Sequence, residues 1–174
     1  MSDQSLEIWK NLKQSQLKYD YYVIGLAATL FAYLGSSFKP EALSVSQNSF
    51  ELLSLIALFF TVVTGLFRLE NDLSAQATKL EQQNAKSRLD VLNKVSMCSG
   101  RVNNVDAGEE LNKEDVEKQQ QRLKEFIASA NEGLKILNNR TIGYFRVRNF
   151  SLFFGFFFLV VSKFISFFNV LNAV

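Results

Sequence analysis

An all-α membrane protein is what this sequence predicts: three transmembrane helices, with a cytoplasmic helical hairpin between the second and the third. Three observations predict it. Apolar runs cover residues 21–37, 50–67 and 150–168, each close to the ~20 residues a helix needs to cross a ~30 Å hydrocarbon layer. Residues 68–149, between the second and third runs, are as polar as a soluble helical domain. The single proline, Pro40, sits between the first two runs, so uninterrupted helices are allowed everywhere else. The mean hydropathy of +0.03 averages over these two populations and describes neither. Most of the 17 Phe fall between Phe145 and Phe168, which concentrates apolar bulk in the last span.

The N-terminal stretch 3–19 reads as a helix, with no Gly or Pro to stop it. Its amphipathic signal is weak. At ~100° per residue, Leu6, Trp9, Leu12 and Leu17 spread over an arc of about 140°, and Lys13 and Gln16 dilute it. Trp9, Tyr19, Tyr21 and Tyr22 suit the headgroup zone, where amphipathic rings settle. The segment is expected either to lie along the inner surface or to run straight into span one. A long leading region of mixed charge marks span one as a retained helix rather than a cleaved signal peptide.

Each span carries small or polar residues at helical spacing. Span one has Gly25, Thr29, Ala32 and Ser36; span two has Ser54, Ala57, Thr61 and Thr64. In span three, Ser151, Gly155, Ser162, Ser166 and Asn169 fall within an arc of about 60° at ~100° per residue. Beyond Phe67 the three-and-four spacing continues through Leu69, Leu73, Ala77 and Leu80, which predicts one helix running to about Met97. Residues 99–112 contain Gly100, Asn103, Asn104 and Gly108 and read as a turn. Asn112, with Asp115 three residues on, marks a helix start. Val116, Leu123, Ile127, Ala130, Leu134 and Leu137 then form an apolar stripe. The implied antiparallel hairpin stands about 40 Å tall at ~1.5 Å per residue. Gly133 is expected to weaken its second helix, and Asn138–Asn139 to break it before span three. The chain thus divides into an interfacial helix with a transmembrane hairpin (1–67), a cytoplasmic helical hairpin (68–149) and a third transmembrane helix (150–174).

Orientation follows the basic residues. Lys10, Lys13 and Lys18 precede span one, Arg68 closes span two, and Arg140, Arg146 and Arg148 guard the entry to span three. The loop between spans one and two has only Lys39, offset by Glu41. The N-terminus and residues 68–149 are expected in the cytoplasm, with the C-terminus outside an inner, cytoplasmic membrane. Cys98 then faces the reducing side, which suits a lone cysteine.

No enzyme is expected. The chain has no His, so imidazole bases and Cys/His zinc sites are excluded by count. Cys98 has no visible activating partner, and no Gly-rich phosphate loop or metalloprotease motif occurs. Glu109–Glu110 and Glu114–Asp115 fall in a turn and a first helical turn, where carboxylates are expected without catalysis. No cofactor follows from the composition, and a net charge of +2 gives no field that would recruit nucleic acid.

The candidate functional residues are therefore those of the spans. Ser54, Thr61, Thr64, Ser151, Gly155, Ser162, Ser166 and Asn169 either pack helices together or line an aqueous path in an oligomer. Lys163, the charge well inside an apolar run, either lines such a path or reaches outward along its stem. Arg68, Arg140, Arg146 and Arg148 are candidates for lipid headgroup contact, besides setting orientation. The polar seam Asn84, Ser87 and Arg88 interrupts the apolar stripe of the first cytoplasmic helix. It either sets register or oligomer state in a coiled contact or is an exposed face.

Two stretches, LEIWKNLKQSQLKYDYY before span one and TVVTGLFRLENDLSAQATKLEQQ at the exit of span two, give residues 5–98 the look of a SLATT module. The resemblance implies two closely spaced transmembrane helices, the second extended into a long cytoplasmic helix. It also implies a membrane-permeabilising effector of bacterial conflict systems, switched on by a nucleotide-generating or sensing partner. The third span departs from that two-span pattern. The expected function is an oligomeric, channel-like effector gated through its cytoplasmic hairpin, with membrane lipids, further copies of itself and a cytoplasmic signalling protein as partners. The alternative is a non-conducting membrane binding protein, either a toxin-immunity or a complex-anchoring subunit.

Overall fold

The computed structural model describes residues 3–40, 46–97, 103–104, 109–110 and 113–171. Three long helices account for nearly all of them: α1 (Asp3–Ser37), α2 (Gln47–Met97) and α3 (Lys113–Leu171). The only other element among the described residues is a two-residue antiparallel ladder, β1 (Asn103–Asn104) with β2 (Glu109–Glu110), pairing Asn103 with Glu110 and Asn104 with Glu109. It lies within the stretch read as a turn.

α1 runs without interruption from the polar N-terminal stretch into the first apolar run. Of the two courses open to residues 3–19, the structure takes the continuous one. The helix stops at Ser37, three residues before Pro40, whose ring bars the preceding residue from helical geometry. α2 opens with the Phe50 amide donating to the Ser46 carbonyl at 3.4 Å, and Asn48 Nδ2 donates to the Lys39 carbonyl at 2.8 Å. Its 51 residues span about 75 Å, because no Gly or Pro follows Gly65 before Gly100. α3 has 59 residues and passes through Gly133 and Asn138–Asn139 unbroken, contrary to expectation. One glycine costs a helix only ~1 kcal/mol; nothing lies within 4 Å of a Cβ placed at Gly133, and both asparagines are exposed. The side chains of Trp9 and Asn169, and Cys98 and Asn112 altogether, lie outside the described residues.

Among the described residues, two helices, α2 and α3, are long and apolar enough to cross a membrane. The first apolar run, in α1, is diluted by Tyr21, Tyr22, Thr29, Tyr33 and Ser36.

The chain forms two compact units, Met1–Glu70 with Thr141–Val174, and Asn71–Arg140. In the first, a core of Ala27, Leu34, Leu55 and Leu58 is packed by Leu30, Phe38, Val62, Leu152 and Leu159. Its buried polar residues are Asp20, Ser54, Thr61, Arg68, Arg148 and Ser162, while Phe59, Phe60, Phe67, Phe150, Phe153, Phe157 and Phe164 are exposed. That distribution is inverted from a water-soluble bundle, where buried polar groups and exposed aromatic bulk are the exceptions.

In the second unit, four side-chain bonds set the pairing of α2 with α3. Asn71 Nδ2 donates to the Leu137 carbonyl at 2.7 Å. Gln82 Nε2 donates to Asn131 Oδ1 at 2.7 Å and to the Ile127 carbonyl at 3.4 Å. Gln120 Nε2 donates to Asn93 Oδ1 at 3.2 Å. Partner numbers fall on α3 as they rise on α2, so the two segments run antiparallel.

Candidate functional site

The polar centre of the first unit is one carboxylate held by two guanidinium groups. Asp20 comes from α1, just before its apolar run; Arg68 from α2, just after its run; Arg148 from α3, just before its own. Arg68 Nη1 and Arg148 Nη1 both donate to Asp20 Oδ1, the latter at 2.6 Å. The three side chains are at most 5% exposed. Phe145 lies under both cations, its ring centroid 4.6 Å from the Arg68 guanidinium carbon and 5.3 Å from that of Arg148. The Tyr19 ring faces Arg148 at 5.6 Å. Arg148 Nε and Nη2 donate to Asn149 Oδ1 at 3.3 and 3.1 Å. Aromatic faces and amide oxygens thus take up positive charge that a single carboxylate leaves uncompensated.

Local packing brings these side chains together. A Cβ at Gly65 would fall 2.5 Å from Ile24 Cγ1 and 3.5 Å from Arg148 Cδ. A residue without a side chain lets Ile24 of α1 close on α2 at this level, while the Arg148 stem of α3 would be in ordinary contact with a Cβ.

A second polar cluster forms around Glu51, in the first turns of α2. Its Oε1 accepts from Lys163 Nζ at 2.9 Å, from Ser162 Oγ at 3.2 Å and from Gln47 Nε2 at 3.1 Å. The Lys163 side chain remains 61% exposed and that of Glu51 17%. Lys163, read as either lining a path or reaching outward, is engaged in an ion pair.

Between the clusters, small residues bring helices into contact. Ser54 Oγ donates across to the Gly155 carbonyl at 2.8 Å. A Cβ at Gly155 would sit 3.1 Å from Leu58 Cγ and Cδ2, so α2 and α3 cross there at close range. Thr61 and Thr64 donate back to the carbonyls of Ala57 and Phe60, at 2.9 and 2.6 Å. Ser54, Thr61 and Ser162 are fully buried, while Thr64, Ser151 and Ser166 are half-buried. The stripes of spans two and three therefore face neighbouring helices of the same chain. That of span one differs: Gly25, Thr29, Ala32 and Ser36 are all exposed.

Of the four arginines expected at lipid headgroups, Arg68 and Arg148 turn inward instead, because an isolated Asp at their level draws a counter-charge. Arg140 and Arg146 are exposed. Asp20 and Glu51 were not read as functional from the sequence. Each is a single acidic residue at the edge of an apolar run, facing runs that bring basic residues to the same end, and that pattern is the signal that could have found them. The seam residues Asn84, Ser87 and Arg88 are exposed. Among the described residues, no group of His, Cys, Asp and Glu could hold a metal ion. The chain matches no protein-family model, no curated protein and no solved structure.

Proposed function

We propose that this chain is a three-span membrane effector that assembles into oligomers and permeabilises the inner membrane in a bacterial conflict system, gated through its cytoplasmic helix pair. The observation that carries the reading is continuity: α2 and α3 each run without a break from an apolar segment into a polar one. A cytoplasmic signalling protein acting on the polar segments is the proposed trigger. Asp20, Arg68 and Arg148 act as a clasp that holds the resting bundle closed. The aromatic outer surface suits a lipid environment, and the distribution of basic residues supports a cytoplasmic N-terminus and hairpin with the C-terminus outside. No enzymatic step is involved. The likeness of residues 5–98 to SLATT modules supports the same activity.

A voltage-sensitive dye in bacteria expressing the chain tests this, with membrane-inserted amounts matched. Asp20→Asn, which weakens the clasp, depolarises cells at lower expression than the wild type does. If both proteins insert and neither depolarises cells, the effector reading is wrong. The second reading, a non-conducting membrane binding protein, is favoured by the exposed small-residue face of α1, which fits a foreign transmembrane helix. Co-purification of one foreign membrane protein with a monomeric chain would select it.

A further inference from the structure

The second unit buries the wrong side of α2. The residues turned toward α3 are Asn71, Ala75, Thr78, Gln82, Ala85, Leu89 and Leu92, all buried or half-buried. All of the first five are polar or no larger than Ala. On nearly the opposite side, Leu73, Ala77, Leu80, Asn84, Ser87 and Val91 are all exposed, with Leu73, Leu80 and Val91 at 63, 62 and 59%. At ~100° per residue these six fall within about 80°, centred about 150° from the buried side. The α3 segment leaves Leu73 and Leu80 bare, while Asn84, Ser87 and Val91 border open grooves shared with Arg122, Leu123 and Phe126 of α3. The spacing of the six exposed residues alternates four and three, which is a heptad seam with Ala77, Asn84 and Val91 at one core position and Leu73, Leu80 and Ser87 at the other.

We propose that this seam is where copies of the chain meet, parallel and in register around a common axis. The inference rests on the oligomeric reading above and names its interface. Three features select a second copy as the occupant. Copies inserted in one membrane share one orientation, so their α2 helices are parallel and each seam residue meets its own equivalent. Parallel, in-register packing is the arrangement that stacks like charges most severely, yet none of the six seam positions is charged. The flanking positions that approach between neighbouring helices are Gln76 with Glu81 and Gln83 with Arg88, amide against ion, with no like-charged pair. Asn84 then meets Asn84, and a carboxamide is both donor and acceptor, so the one amide in the seam satisfies itself and fixes the register. The sequence seam at Asn84, Ser87 and Arg88 thereby acquires a role: two of its members are core positions and the third flanks them.

The test uses the full-length chain in bacterial membranes in a Cys98→Ser background, with single cysteines at Leu73, Leu80, Val91 or, as a control on the far side of α2, Lys86. On mild oxidation, the first three give disulfide-linked dimers of the chain and Lys86→Cys gives none. In parallel, native mass spectrometry in lipid nanodiscs counts subunits in the wild type and in Leu80→Glu, a change at an exposed position that leaves the single chain folded. Loss of the oligomer in Leu80→Glu supports the proposal. An oligomer that survives Leu80→Glu, with cross-linking equal at all four positions, overturns this interface and leaves the oligomeric reading standing. A monomeric wild type with no cross-links overturns both. A cross-linked adduct of foreign mass at the three seam positions assigns the face to another protein and overturns the proposal.

Discussion

The two units hold themselves together by different means. The first closes on ion pairs: Asp20 with Arg68 and Arg148, side chains at most 5% exposed, and Glu51 with Lys163. The second closes on amide bonds, Asn71 to a carbonyl, Gln82 to Asn131 and Gln120 to Asn93. A neutral hydrogen bond contributes about 0.5–1.5 kcal/mol, whereas removing one member of a buried ion pair costs about 3–5 kcal/mol, because the other charge is left unmatched. The first unit is therefore the more sensitive to loss of a single side chain at Asp20. The second is held by several small contributions and leaves Leu73, Leu80 and Val91 exposed.

The difference can be broken in order of size. Asp20→Ala leaves two buried guanidinium groups without their carboxylate, and is expected to destabilise the chain by about 3–5 kcal/mol, read as a drop in Tm in detergent micelles. Gly65→Ala places a Cβ 2.5 Å from Ile24 Cγ1; overpacking of this kind costs about 1–3 kcal/mol, and pairing it with Ile24→Ala recovers part of the loss in the same Tm assay. Gln82→Ala removes two bonds of the second unit, each worth about 0.5–1.5 kcal/mol, and is expected to raise protease sensitivity within residues 71–140 while leaving the spans intact. Lys163→Met has the smallest effect on the folded chain, since its side chain is 61% exposed and such pairs contribute ~1 kcal/mol or less. A Tm loss for Lys163→Met equal to that for Asp20→Ala would erase the distinction between the two clusters.

Much of the fold was legible in the sequence because helices announce themselves by spacing and by the absence of Gly and Pro. The helical course of α2 as far as Met97 is legible in the apolar spacing that continues beyond Phe67. The continuity of α3 is less legible, because Gly133 and Asn138–Asn139 weaken a helix locally while the long run of helix formers around them decides the outcome. The small-residue stripes are legible as pattern but not as partner: nothing in the spacing says that Ser54 meets Gly155 of another helix while Thr29 donates back to the Gly25 carbonyl of its own. The clasp was half visible. Arg68 and Arg148 stood out by charge, but spacing within one helix cannot report that three helices bring them to Asp20, and a lone Asp in a tyrosine-rich stretch reads as an interfacial residue.

The account turns on assembly, because the buried stripes of α2 and α3 leave the single chain no interior path. The subunit count of the wild-type chain in lipid nanodiscs, by native mass spectrometry, tests this most directly. A closed ring of about four copies or more is expected. A monomer or a simple dimer would contradict the effector and point to a protein that binds other membrane helices.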